Sequence, residues 1–558
     1  MLGGIKSPNV LKLVFDYIKN RTKLKIIKHN KIIQNKINIT LEDFKVYKYL
    51  KEFKKKYLIK INDIDIKELA INNMEIRNQV EIFNKINFKE LQKLDLSWNK
   101  INNINNLENL ENLRELNLGY NEIIKLDVLE RAKFNKLEKL YLNNNLISDI
   151  NVFEKVNFKE LKELDLSSNL ISDVSMIKNF NLGELQKLIL HDNNISDIST
   201  LSIKFEKLSI LDLSRNKISD ISIFKEVNLE NLKELNLENN KISDISIFKA
   251  VNLKNLKKLY LGDNEISKII QFNFPKLETL DLNNNELTDV HDLEKANLNE
   301  LKELNLSNTG ISDIKVLEKV KFEKLEVIGL SSNQIQDISA LENVNFKGLK
   351  ELSISYNKIS DINALEKVKF ENLEFLGVSE NELSDISVLE RVNFKNLKEL
   401  RLYKNEISDI NVLKRVKFEK LEKLYLQENK ISNIEVLEQV NFKNLQILHL
   451  NQNEISNINP LEKADFKNLK ELDLCYNKIS DISVLKNVNF KELEKLYLNF
   501  NQISDISVLE KVDFKKLKLL YLHYNQIKDT SIIEKADFKD LEDLKLEGNN
   551  QCPSKYDY

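Results

Sequence analysis

Residues 496–527 read LYLNFNQISDISVLEKVDFKKLKLLYLHYNQI. The opening LYLNFNQI returns 24 residues later as LYLHYNQI: leucines and asparagine keep their places, while Asn499 becomes His523 and Phe500 becomes Tyr524. The alternation in LYLHY is that of a β-strand, with Leu520 and Leu522 facing one way and Tyr521 and His523 the other. The following asparagine, Asn525, can bond its amide to turn backbone that burial would otherwise leave unpaired. Ile503, Ile506, Leu509 and Phe514 supply the remaining apolar positions. Ser507 and Glu510 are spaced as a capping box, as are Ser387/Glu390 and Ser339/Glu342.

The frame L-x-L-x-x-N recurs 20 times between Leu94 and Asn549. The interval is 24 except at 99–121 (22), 193–216 (23) and 264–285 (21), and Thr309 once replaces the asparagine. LAINNMEI, residues 69–76, fits the frame with Met74 in the asparagine slot and reads as a degenerate capping coil. One coil cannot bury its own apolar face, so coils must stack on one another. At about 4.8 Å per strand, they predict a parallel sheet roughly 100 Å long. Thr309 and the short coil around KIIQFNFPKLETL (268–280) read as tolerated drift, the alternative being a local change of curvature that divides the stack in two.

LKELDLCYNKISDISVLKNVNF, residues 469–490, resembles the leucine-rich repeat family, and the likeness recurs in register across most of the chain. The NxISDIxxL portion is most similar to phosphatase-regulating repeat proteins and bacterial internalins. The xxFxxL portion is nearer the family's common 24-residue form. The resemblance implies an α/β solenoid, a curved horseshoe with parallel strands on its concave face and short helices or 3-10 turns on its convex face. The expected organisation is a head at 1–60, a solenoid at 61–549 and a tail at 550–558.

With 85 Lys+Arg against 87 Asp+Glu, no global field points to nucleic acid. A hydrophobic content of 42% beside 31% charge describes a foldable chain, and 10 Gly with 4 Pro leave little linker. No apolar run approaches the roughly 20 residues that span a bilayer, so no membrane insertion is expected. The start does not read as a signal peptide. Two cysteines, Cys475 and Cys552, cannot form a disulfide framework. The expectation is a monomeric, cytoplasmic protein, with the nucleus also open to it.

Residues 1–60 do not repeat and hold 16 Lys/Arg against 4 Asp/Glu. SPNVLKLVFDYI (7–18) opens like a helix, with Leu11, Val14, Phe15 and Ile18 on one face. This head somewhat resembles an F-box, which implies docking on a Skp-type adaptor through those four residues. The alternatives are an end cap of the kind solenoids require and a lysine-rich contact for acidic surfaces.

The leucines are thus scaffold, and the variable residues between them are surface. All ten tyrosines between residues 94 and 549 fall just before, inside or just after L-x-L. Tyrosine anchors interfaces because it brings area and a hydroxyl at little entropic cost. The C-terminal coils are richest, and the expected partner-binding residues on the concave face are Arg401, Tyr403, Tyr425, His449, Asp473, Tyr476, Tyr497, Phe500, Tyr521, His523 and Tyr524.

His449 is expected to face Asp473 with Cys475 nearby, but an offset of two residues along the strand argues against a nucleophilic triad. No catalytic residue, metal site or cofactor is expected. The reading is a non-enzymatic scaffold for a protein partner. The alternatives are an F-box-like substrate receptor of a ubiquitin ligase and a regulatory or targeting subunit of a protein phosphatase.

Overall fold

A computed structural model describes residues 67–70, 72–73, 88 and 90–549, apart from 157, 180–182 and 202–204. The head, with Leu11, Val14, Phe15 and Ile18, lies outside the described residues, as does the tail from 550. The chain divides into two compact units, Met1–Glu265 and Ile266–Tyr558.

The residue before each L-x-L and the first two residues of the motif form a three-residue parallel strand. The first unit runs from β1 (Glu68–Ala70) and β2 (Lys93–Asp95) to β9 (Lys258–Tyr260). Leu69 lies opposite Leu94, and Leu94 opposite Leu116, so even the degenerate first coil keeps register. The second unit runs from β10 (Thr279–Asp281) to β21 (Asp543–Lys545). It includes β15 (Glu399–Arg401), β16 (Lys423–Tyr425), β17 (Ile447–His449), β18 (Glu471–Asp473), β19 (Lys495–Tyr497) and β20 (Leu519–Tyr521). The leucines on either side of each outward residue point into the core and are fully buried, as at Leu496, Leu498, Leu520 and Leu522. Behind the strands a column of buried phenylalanines, including Phe418, Phe442 and Phe466, fills the core coil after coil.

The far side of nearly every coil closes with a 3-10 turn, such as Ser507–Glu510, which buries Val508 and Leu509. One short α-helix, Val128–Arg131, stands among the described residues. The expected capping boxes do not form. Ile506 precedes the turn, no side chain caps it, and the amide of Ser507 donates instead to Asp505 Oδ1 at 2.8 Å. Ser387 and Ser339 bond Asp385 and Asp337 in the same way, at 2.7 and 2.8 Å. A four-residue 3-10 turn leaves little of the open first turn that a box must span, and an aspartate two residues upstream satisfies the amide locally.

The repeated asparagine ties neighbouring coils together. Asn525 donates through Nδ2 to Leu522 O in its own coil (3.0 Å) and to Leu498 O in the preceding one (2.9 Å). Its Oδ1 accepts from Ile503 N at 3.0 Å. Asn501 repeats the pattern against Leu498, Leu474 and Ile479. The residue before each asparagine is held at positive φ, between 49° and 61° wherever it is not glycine. Thr309 donates its hydroxyl to Leu306 O at 2.8 Å but has no second hydrogen to offer the coil before it.

The short coil that opens the second unit loses its residues from the turn, not from the strand. Isolated bridges Lys268↔Asp289 and Asn273↔Asn297 take the place of the 3-10 turn, while β10 stays in leucine-to-leucine register with the next strand. Phe272 and Phe274, ring centroids 5.8 Å apart, fill the space beneath.

Truncating Asn453, which bonds Leu450 O, Leu426 O and Ile431 N, leaves buried backbone groups unpaired. Asn453→Ala is expected to cost about 3 kcal/mol in urea unfolding. Thr309→Asn should act oppositely. It gives Leu282 O a second donor besides Asn285 Nδ2 and should add about 1 kcal/mol in the same measurement.

Candidate functional site

Because side chains alternate along a strand, the residue before each L-x-L and the one inside it share the face turned away from the core. On the second unit this places Arg401, Tyr425, His449, Asp473, Tyr497 and Tyr521 in one row, as successive Cα partners on β15 to β20. All six are half-buried. Tyr403, Cys475 and His523 lie in the next row, and Tyr476, Phe500 and Tyr524 in the row beyond.

The first row is linked by charge and ring contacts. The Arg401 guanidinium lies between two rings, 5.1 Å from the centroid of Phe375 and 5.5 Å from that of Tyr425. Its Nε donates to Glu399 Oε1 at 2.6 Å, and Lys423 Nζ meets Glu399 Oε2 at 2.9 Å. Tyr425 meets His449 edge-on at 5.0 Å, and Tyr497 meets Tyr521 likewise at 5.3 Å. Tyr521 donates its hydroxyl to Asp543 Oδ2 at 2.6 Å, under Lys545 Nζ at 4.2 Å from the ring centre. Burial is the main cause that pushes the Tyr497 phenol up to about 12.

The third row is a stack of parallel rings. Tyr476 and Phe500 lie 4.1 Å apart at 10°, and Phe500 and Tyr524 lie 4.5 Å apart at 18°. The stack closes on Gly548, where any Cβ would come within 2.6 Å of the Tyr524 ring. His523 sits against Phe500, Tyr521 and Tyr524, and burial lowers its pKa. All three stacked residues have φ between 52° and 54°. That left-handed conformation costs a non-glycine residue roughly 1–2 kcal/mol, and glycine meets the same need at Gly548.

The structure places His449 and Asp473 opposite each other, as expected, but does not pair their side chains. Their Cα atoms are partners, but His449 Nε2 bonds Glu471 Oε1 at 3.0 Å, and Glu471 Oε2 holds Lys495 Nζ at 3.0 Å. The hydrogen bond from His449 is the largest cause keeping Glu471 below the usual carboxylate range. Asp473 turns to its own coil, accepting from Cys475 N at 3.0 Å. Burial first, then the neighbouring Asp473, pushes the Cys475 thiol well up. At neutral pH it is a thiol without nucleophilic strength. The reason is reach: a histidine ring extends sideways past its direct partner to the longer glutamate two residues back.

The partners Glu399, Glu471, Lys495 and Asp543 were not singled out in the sequence, although period-two alternation already put them on this face. Among the described residues, no group of three or more His, Cys, Asp or Glu is placed to hold a metal ion. No helix among them is long and apolar enough to cross a membrane.

Comparison with known proteins adds the following. The model for leucine-rich repeats in two copies matches residues 135–179, 184–226, 230–273, 275–319, 323–367 and 467–511. Two further leucine-rich repeat models match 419–479 and 90–104. No curated protein sequence matches the chain. Among solved structures, an internalin (inlF) from Listeria monocytogenes is 30% identical over 61% of this chain and 87% of its own, with a TM-score of 0.48. The plant peptide hormone receptor RGFR1, in complex with RGF2, is 18% identical over 82% of this chain and 90% of its own, with a TM-score of 0.51. PEPR1, in a structure with AtPEP1, is 20% identical over 86% of this chain and 71% of its own, with a TM-score of 0.53.

Glu471 yields a pH prediction. Its folded pKa lies below the usual 4.5, so its bonds to His449 and Lys495 stabilise the fold above that pH and lose their effect as pH falls through the folded value. Glu471→Gln should therefore lower the urea midpoint at pH 7. The gap from the parent protein should close as the pH falls from 4.5 through the lower folded pKa of Glu471.

Proposed function

The chain belongs to the leucine-rich repeat family, and from that premise we propose that it is a non-enzymatic scaffold gripping a protein partner on the outward sheet face of its second unit, between β15 and β20. The observation that supports this reading most is the stack of Tyr476, Phe500 and Tyr524. Three large rings occupy left-handed backbone positions where glycine or asparagine is less strained. The same position in other coils holds Asn284, Asn308 and Gly548, so the fold itself does not call for rings. The strained backbone comes with the repeat in every coil, so it is the choice of stacking rings at these positions that marks a working surface.

The surroundings suit a polypeptide. Rings with hydroxyls, an arginine between two aromatic faces and paired carboxylates make an amphipathic surface that can bury area and still satisfy polar groups. Six strands at about 4.8 Å span about 24 Å, enough for one side of a standard interface of about 800 Å² per partner. A thiol held protonated and a histidine committed to Glu471 favour recognition over chemistry.

The F-box-like alternative rests on Leu11, Val14, Phe15 and Ile18, outside the described residues, and the matched family segments begin at residue 90. The phosphatase-subunit alternative predicts a phosphatase as the protein retained on this face, so the same capture experiment discriminates it.

Full-length protein and its Tyr476→Asn/Phe500→Asn/Tyr524→Asn variant can be compared in affinity capture, followed by titration of the captured partner. Asparagine relieves the backbone, so melting should be unchanged or slightly raised. Affinity should fall at least about tenfold with the loss of three aromatic anchors. Undiminished affinity in the folded variant would remove the stacked rings from the site.

A further inference from the structure

The aromatic surface of the second unit has a titratable group built into it. His523 lies in the row between Tyr521 and Tyr524 and is half-buried. Its imidazole meets three rings edge-on: Phe500 with centroids 5.5 Å apart at 80°, Tyr521 at 5.6 Å and 64°, and Tyr524 at 5.6 Å and 70°. It thus bridges the first row, at Tyr521, and the stacked third row, at Phe500 and Tyr524. Such ring contacts hold both rows to one another through a single side chain.

The seat suits a neutral ring and not a charged one. Nδ1 of His523 is buried and has no hydrogen-bond partner. In the neutral imidazole this leaves one acceptor unpaired, a modest cost. An imidazolium donates from both nitrogens. In the same place it would bury an N–H without an acceptor together with a charge stripped of water, and each is penalised.

The charged groups around it come from the last coil. Glu547 holds the same row one coil on and is exposed, and Lys545 lies in the first row as the Cα partner of Tyr521. Lys545 Nζ sits 4.2 Å from the Tyr521 ring centre, and Asp543 accepts from the Tyr521 hydroxyl at 2.6 Å. The coil before offers Asn499, which carries no charge, and Tyr497, whose phenol stays protonated. Burial is the largest cause holding His523 below its ordinary 6.5; Glu547 opposes the shift and Lys545 adds to it. The carboxylate able to receive an imidazolium therefore lies toward solvent, away from the rings.

We propose that His523 is a pH-operated latch on this surface: neutral, it wedges Tyr521 against the Phe500–Tyr524 stack, and protonated, it swings out toward Glu547 and water and lets the rings part. The two arrangements exclude each other, because one ring cannot be buried among three others and hydrogen-bonded to an exposed carboxylate at once. By linkage, the neutral contact stabilises fully above pH 6.5 and is lost as pH falls through the lower folded value. Attraction between an imidazolium and the rings works against opening, but it is smaller than the hydration the buried cation gives up. The latch stands apart from the partner reading; only a loss of partner at acidic pH rests on it.

The test follows the histidine and the rings separately in the full-length protein. Isotope-labelled histidine is titrated by NMR, with His523 assigned by the resonance missing from His523→Phe. Hydrogen exchange of segments 497–501 and 521–525 is measured at about pH 7 and about pH 5, on either side of the histidine range, and corrected for the intrinsic rate. In the parent protein His523 should titrate below 6.5. Exchange in both segments should rise about fivefold at the lower pH, the population change that follows the loss of one ring contact. His523→Phe keeps a ring that cannot be protonated, and His523→Gln serves should the phenyl not fit; in either, exchange should no longer depend on pH. Glu547→Gln should lower the His523 titration further, since it removes the opposing carboxylate. A titration at or above 6.5, steady exchange in the parent, or a rise that survives both His523 substitutions overturns the proposal. Opening with unchanged partner affinity supports the latch and takes the partner off this surface.

Discussion

A carboxamide shared between neighbouring coils is the constraint on which the rest of this protein depends. Short parallel strands with turns between them leave backbone groups facing inward, away from water. An asparagine has two N–H donors and an oxygen acceptor on one short stem, enough to bond its own turn and the previous coil together, as Asn477 does with Leu474 O, Leu450 O and Ile455 N. The bond geometry holds the coils in register, and register brings the leucines and phenylalanines of successive coils into contact. Hydrophobic burial supplies most of the stabilisation, but only if the turns can be buried without orphaned polar groups.

That solution has a local consequence. To aim its amide inward, the asparagine follows a residue in the left-handed conformation, and this residue is half-buried or exposed in every described coil. The repeat thus generates a column of strained positions outside the core. Most coils fill it with small or polar residues, but Trp98 and Tyr120 in the first unit and Tyr476, Phe500 and Tyr524 in the second fill it with stacking rings. Ring separations of 3.7–4.5 Å are close to the spacing between strands, so the sheet works as a template for aromatic stacks.

Charge follows the same template. In the second unit the residue preceding the strand alternates in sign from Glu278 to Glu422 and, after the neutral Gln446, again from Lys470 to Glu542; Lys302, Lys350 and Lys398 pair with Glu278, Glu326 and Glu374 at 2.6–2.7 Å. Exposed pairs of this kind contribute little individually. Their order matters more, because a slip of one coil would set like charges side by side. This helps explain how a nearly neutral chain carries so many charges without a dominant field.

Sequence periodicity alone determined the strands, the leucine core, the asparagine bridges and the face that carries the tyrosines, because each depends on spacing along the chain and a 24-residue period maps directly onto neighbours in space. Tertiary structure decided what depends on side-chain reach. His449 chose Glu471 over Asp473, Asp505 displaced the Ser507–Glu510 box, and Arg401 settled between Phe375 and Tyr425. The short coil before Asn285 likewise kept its strand and gave up its turn. A periodic pattern specifies which backbones lie side by side. Which of several polar groups within 5 Å or so bond each other is settled by rotamers, burial and competition among neighbours, and these exist only once the coils have stacked.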